Sequence, residues 1–135
     1  MIVTLLSEMP ASRVKVYIDE MPAFVLYKGE LRKYRLQEGA PVAEETYEEI
    51  VSKVLPLRAR LRCINLIKAR DYTKEQLRLK LEQGGYPKQV IEETLTFAQA
   101  ERYIDDLRYA GNFIACSHER KSRRRIENDL LQKGI

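Results

Sequence analysis

The chain repeats itself with a period of 49 residues, and this self-similarity limits its fold more than any other sequence feature. Sliding the sequence by that step places Thr73 on Ser122, Leu77 on Ile126, Leu81 on Leu130, Gln83 on Gln132 and Gly85 on Gly134. The preceding segments agree in phase, with Leu61 on Ala110, Ile64 on Phe113 and Ile67 on Cys116. Each unit thus has a hydroxyl residue suited to an N-cap, an apolar stripe at helical spacing and a closing glycine. A period of this length built from three helices marks a helical repeat array, in which neighbouring units bury one another's apolar faces.

The helical units can be drawn from the sequence. Leu57, Leu61 and Ile64 predict the buried stripe of the first helix, with Leu66 and Ile67 beside it. Thr73 and Gln76 stand at capping-box spacing before Leu77 and Leu81, and Gly84-Gly85 stop that helix. Pro87 opens a third helix with Ile91, Leu95 and Ala98 on one face. Asp105 suits the N-cap of a fourth helix carrying Leu107, Ala110, Phe113 and Ile114, and a fifth follows Ser122 with Ile126 and Leu130.

The start of the chain reads differently. Val14–Ile18 and Ala23–Tyr27 predict two strands joined by a turn, and Val3–Leu6 a third. A short helix around Leu31, Tyr34 and Leu36 ends before Gly39 and Pro41, and a further helix opens at Glu44-Glu45. Pro56 interrupts or restarts that helix, because it has no backbone N–H to donate. The expected fold is therefore mainly α, with tandem three-helix repeats after a small β-hairpin and helix extension. Its expected divisions are 1–56 for the extension, 57–105 for a complete first repeat and 106–135 for a second repeat without its third helix. Such an open unit is expected to leave Phe113, Ile114, Ile126 and Leu130 uncovered, so the chain is expected to be shorter than the active protein or to self-associate.

Charge narrows the partners. The net charge of +4 is unevenly spread. Residues 1–56 hold 7 Lys/Arg against 9 Asp/Glu, whereas 57–135 hold 17 against 11. The densest run is Arg120, Lys121, Arg123, Arg124 and Arg125, five cations in six residues at a helix junction. Like charges at that density repel, so an anionic partner is the reading set against a merely solvated turn. The series Lys68, Arg70, Lys74 and Arg78 interleaves with Asp71 and Glu75 and reads as a solvated face.

Other chemistry is not indicated. No Walker-type loop, nucleophile elbow or H-E-x-x-H motif occurs, so an enzyme is not expected. Asp105-Asp106 are adjacent, about 100° apart on a helix, and suit cap and first-turn positions better than paired catalysis. Cys63 and Cys116 read as small apolar residues of helices, and with His118 as the single histidine neither a metal site nor any cofactor is expected. No segment suits a membrane span or a signal peptide, so a cytoplasmic location is expected.

The stretch Arg70–Leu81, then Gly85-Tyr86, Val90–Glu93, Tyr103–Ala110 and the ending Arg125–Ile135 closely resemble the RecX family, over about residues 57–135. The resemblance implies tandem three-helix repeats and binding to RecA filaments, with modulation, usually inhibition, of ATP hydrolysis, strand exchange and co-protease activity. Two departures stand out: family members usually carry three repeats, and Lys121 stands where a glycine often precedes the helix. The alternative reading is a direct DNA-binding helical module, since small three-helix units can set a helix into a groove.

Overall fold

The computed structural model describes residues 1–135. Three antiparallel strands come first, in the order β1 (Val3–Met9), β2 (Arg13–Ile18) and β3 (Met21–Tyr27). The expected third strand is present and runs further than Val3–Leu6, giving the hairpin the extra strand that isolated pairs need. The link between β2 and β3 has Asp19 and Glu20 both at positive φ, the pairing that two-residue hairpin turns require. Along β2, Val14, Val16 and Ile18 alternate into the core with the period of two.

Helix α1 (Lys28–Lys33) is shorter than expected. Arg35 takes the left-handed conformation, and Leu36 donates its N–H back to Leu31 at 2.8 Å, closing the helix before Gly39 and burying Leu36. Helix α2 (Glu44–Glu49) passes through a π turn at Ile50–Val54 into α3 (Leu55–Ala69) without a break. Leu55 donates to Ile50, five residues back, so the wide turn opens the ladder just ahead of Pro56 and the helix continues through it. Packing also crosses this point. One core runs from Val3, Phe24 and Leu26 through Ile50 and Leu55 to Leu77, Leu81 and Leu95. The expected division after residue 56 does not divide the core.

The stripe expected on α3 is a correction. Leu57 and Leu61 are 62% and 55% exposed, and the buried face is Leu55, Ala59, Cys63 and Leu66. Spacing of four and three fits both sets, so periodicity fixed the helix but not its rotation. Packing selected the face with the smaller Ala59 and Cys63, against which α5 (Lys88–Ala100) lies closely.

Between them, α4 (Lys74–Gln83) has the expected capping box: Thr73 accepts from the Gln76 N–H at 3.1 Å, and Gln76 accepts from the Thr73 N–H at 3.1 Å. The second unit contains α6 (Asp106–Ser117) and α7 (Arg123–Gln132). Ser122 accepts from the Arg125 N–H at 3.2 Å, and the ends of the two short helices match bond for bond. Tyr86 donates to Leu81 and Gly85 to Glu82; Ile135 donates to Leu130 and Gly134 to Leu131.

Both closing glycines have positive φ, 78° at Gly85 and 87° at Gly134, and each touches the preceding layer. A Cβ on Gly85 would lie 2.2 Å from Val25 Cγ2 on the sheet, and one on Gly134 would lie 2.4 Å from Glu75 Cβ on α4. The sheet thus stands to the first unit as the first unit stands to the second. Two bonds complete the second junction: Lys74 N–H donates to Asp106 Oδ1 at 2.8 Å, and the Thr73 hydroxyl donates to the Lys133 carbonyl at 2.6 Å.

The four residues expected to be uncovered divide. Ile114 is exposed and Phe113 half-buried beneath the Lys121 and Lys133 ammonium groups, at 5.0 and 5.4 Å from its ring, but Ile126 and Leu130 are buried. The inward face of α7 is therefore covered within the chain itself. Cys116, expected among apolar neighbours, is exposed on α6, while Cys63 is buried and its thiol raised in pKa by that burial.

Candidate partner-binding surface

The cationic run lies where α6 turns into α7. Its backbone is well determined by sequence: Arg120 and Lys121 N–H groups both donate to the buried Ser117's carbonyl, and Ser122 caps α7. Each cation then has a different fate. Arg120 donates from Nη2 to the Cys116 carbonyl at 3.2 Å, a cation set against the negative end of α6. Lys121 turns inward, with Nζ 2.8 Å from Asp129 Oδ2. Arg123 pairs with Glu127 one turn on, at 3.0 Å, on an exposed face.

Arg124 and Arg125 are exposed and have no carboxylate within ion-pairing distance. They occupy the first turn of α7, where the helix dipole disfavours cations by ~0.3–1 kcal/mol each. The equivalent turn of α4 carries Glu75, an acid in the favoured place. The second unit therefore retains at this turn a charge arrangement that does not help its own helix. Of five cations that looked alike in sequence, one is committed internally, two have local partners and two are free for an outside anion.

The series Lys68, Arg70, Lys74 and Arg78 is different. Arg78 bridges Glu75 and Glu92, and Arg70 lies 4.2 Å over the Tyr72 ring, so these two charges serve contacts within the fold. The tyrosines at the junctions pack as well: Tyr72 is buried, and Tyr103 meets Phe97 edge-on with ring centres 5.8 Å apart.

A second cationic region escaped the sequence. Between β3 and α3–α4 lies a cleft lined by Arg13, Arg58, Arg62 and Lys80, with Tyr27 and Tyr86. These residues are far apart in sequence, and the one local signal was the pair Arg58 and Arg62, like charges four apart on a helix. No three His, Cys, Asp or Glu side chains are placed to hold a metal ion, and no helix is long and apolar enough to cross a membrane.

Similarity to known proteins extends over most of the chain. The sequence model of the RecX first three-helix domain matches residues 59–97. Among curated relatives, the regulatory protein RecX of Clostridium acetobutylicum is 27% identical over 123 residues, covering 91% of this chain and 58% of the relative. That of Caldanaerobacter subterraneus subsp. tengcongensis is 28% identical over 126 residues, covering 93% and 64%. The chain thus spans about three-fifths of the length of these relatives. A crystal structure of regulatory protein RecX superposes with a TM-score of 0.62 at 23% identity, covering 100% of this chain and 68% of the other, a likeness of fold.

Proposed function

We propose that this chain, similar to the RecX regulatory proteins over most of its length, docks on RecA, or on the RecA–DNA filament, and restrains ATP hydrolysis, strand exchange and co-protease activity. It does so in the cytoplasm as a binding protein without chemistry of its own. The observation that carries the docking site is the pair Arg124 and Arg125, exposed and without carboxylate partners at the start of α7. Arg120, Lys121 and Arg123 support that patch: Arg120 and Arg123 extend its positive field, and Lys121 holds α7 in register through Asp129. Complementary charge acts mainly on encounter and register, so the association rate is the sensitive quantity.

The test is DNA-dependent ATP hydrolysis by RecA with and without the chain. Inhibition that is lost on reversing Arg124 and Arg125 to Glu, with helix content unchanged by circular dichroism, is the expected result. Inhibition unaffected by the reversal removes this patch from the interface, and no effect of the chain on hydrolysis removes the RecA reading. The second reading, a direct DNA-binding module, draws on the three arginines of the same turn. Tight binding of bare duplex DNA with a steep salt slope in the absence of RecA favours it.

A further inference from the structure

The cleft between the sheet and the first helical unit holds about 490 Å³, within the ~300–1,000 Å³ usual for small-ligand sites. Its lining includes no carboxylate. Arg58 is already matched, since Glu30 accepts from its Nη2 at 2.5 Å and the guanidinium lies 4.9 Å over the Tyr27 ring. Glu30 is itself held, accepting the Tyr27 N–H at 2.9 Å. Arg13, Arg62 and Lys80 have no acid partner, and they come from β2, α3 and α4. Three unneutralised cations therefore converge on one concavity from three elements.

Two features set this cleft apart from a solvated basic face. First, like charges four apart on a helix destabilise it by a few tenths of a kcal/mol, and Arg62, unlike the matched Arg58, has no acid to offset that cost. Nor does the repeat require these cations: 49 residues on, Arg58, Arg62 and Lys80 meet Leu107, Gly111 and Asp129. Second, the walls are fixed. Gly85 lets the end of α4 approach Val25 so closely that an added Cβ would collide with the Val25 side chain, and the edge of Val25 with the half-buried Tyr86 ring gives the cleft an apolar side. Burial raises the pKa of the Tyr86 phenol, and the positive fields of Arg58, Arg62 and Arg13 oppose that rise, as expected for guanidinium groups around it.

We infer that this cleft is a nucleoside-phosphate site, with Arg13, Arg62 and Lys80 receiving the phosphate and the Tyr86 side taking the ring. Guanidinium forks match phosphate oxygens in pairs, and the apolar wall suits a flat ring better than a peptide carboxylate does. The ligand is either a free nucleotide or one unit of a single strand. The cleft shares no lining residue with the Arg120–Arg125 run, and the inference does not rest on RecA.

The whole chain is titrated with a nucleoside diphosphate, with a short oligothymidylate and with a polyglutamate peptide, without RecA. Binding of either nucleotide species is expected, weakened at least about tenfold by Arg62→Ala with Lys80→Ala. Reversal at Arg124 and Arg125 should leave diphosphate binding unchanged. Diphosphate alone identifies a free nucleotide as the source. If the oligonucleotide alone binds, the source is a strand, and its salt slope should fall by up to ~0.7 in the double variant, the share of the one phosphate that the cleft receives. Independently of any variant, the Tyr86 ring resonances should shift on adding diphosphate or oligonucleotide while those of buried Tyr72 stay. The inference is overturned if neither species binds at millimolar concentration, if the double variant binds as well as the parent, if polyglutamate competes equally, or if Tyr86 does not respond.

Discussion

The helices α4 and α7 begin and end alike, yet they live in different surroundings. Each has a hydroxyl N-cap, two apolar residues four apart and a glycine in the left-handed region. In α4 those apolar residues, Leu77 and Leu81, lie at the centre of a core shared by the sheet, α3 and α5. In α7 the equivalent Ile126 and Leu130 are buried outside that core, and neighbouring α6 leaves Leu107 85% exposed. Local signals determine that a helix forms; the number of layers around it determines how much the helix stabilises. The first unit is held from both sides, by Val25 against Gly85 and by the second unit at Thr73 and Lys74, whereas the contacts on α7 come from α6 and from the α4 start.

Truncating the equivalent leucines tests that difference most strongly. Leu81→Ala should destabilise by about 2–5 kcal/mol in urea unfolding, because it empties fully enclosed space. Leu130→Ala, at the 9% exposed position, should fall at or below about 2 kcal/mol, since its site can relax toward solvent. Equal losses would mean that the second unit is packed as tightly as the first.

The glycines come next. Gly85→Ala and Gly134→Ala each force a Cβ into a left-handed position, at about 1–3 kcal/mol, and into a neighbour. At Gly85 the neighbour is the sheet, so β3 should loosen from the helices and hydrogen exchange of Val25 should quicken. At Gly134 it is α4, and Arg123–Gln132 should exchange faster while α5 keeps its protection. If α5 loses protection equally in Gly134→Ala, the two units open as one and the comparison fails.

Much of this was legible in sequence, for physical reasons. Caps and stops are local: Thr73, Asp105, Ser122, Gly85 and Gly134 do what their side chains dictate, wherever the helix then packs. The rotation of α3 was not legible, because Leu57 and Leu61 satisfy a helical period as well as Leu55 and Ala59 do, and only the neighbours choose. Nor was the continuity through Pro56, which depends on a π turn that no residue type announces. At the cationic run, sequence supplied the residues but not their division: Lys121 faces Asp129 eight residues away, on the next helix, and nothing in the run itself distinguishes it from Arg124. The cleft assembles Arg13 with Lys80, and long-range meetings of that kind are set by the fold.

A smaller effect separates two neighbouring acids. Asp105 caps its own helix, accepting the Arg108 N–H at 3.1 Å, whereas Asp106 caps α4 across the junction through Lys74. Asp105→Ala and Asp106→Ala should each remove about 1 kcal/mol, in different places. Amide exchange should rise in the first turn of α6 for the former and at the start of α4 for the latter. A rise confined to α6 in both would show that the bond to Lys74 does not hold the units together.

The smallest effect is electrostatic, and it lies where the repeat exchanges one kind of interaction for another. Tyr72 of the first unit is buried; its equivalent 49 residues on is Lys121, and the equivalent of Lys80 is Asp129. A buried phenol in one unit is thus replaced by the cation of an ion pair in the other. The hydrogen bond from Lys121 holds the Asp129 carboxyl below its ordinary 3.8, against the desolvation that would raise it, and the charges of Lys121, Arg125 and Lys133 lower it further. A carboxyl lower in the folded than in the unfolded chain stabilises fully above its ordinary value, and loses that contribution as pH falls through the folded value. Asp129→Asn should therefore lower the thermal midpoint slightly at pH 7, and the gap to the parent chain should close below about pH 4. Tyr72→Phe in the first unit should show no such convergence, since it removes no ion pair. A gap for Asp129→Asn that persists unchanged to pH 2 would show that Lys121 and Asp129 act by packing, and that the two units hold this position by the same means after all.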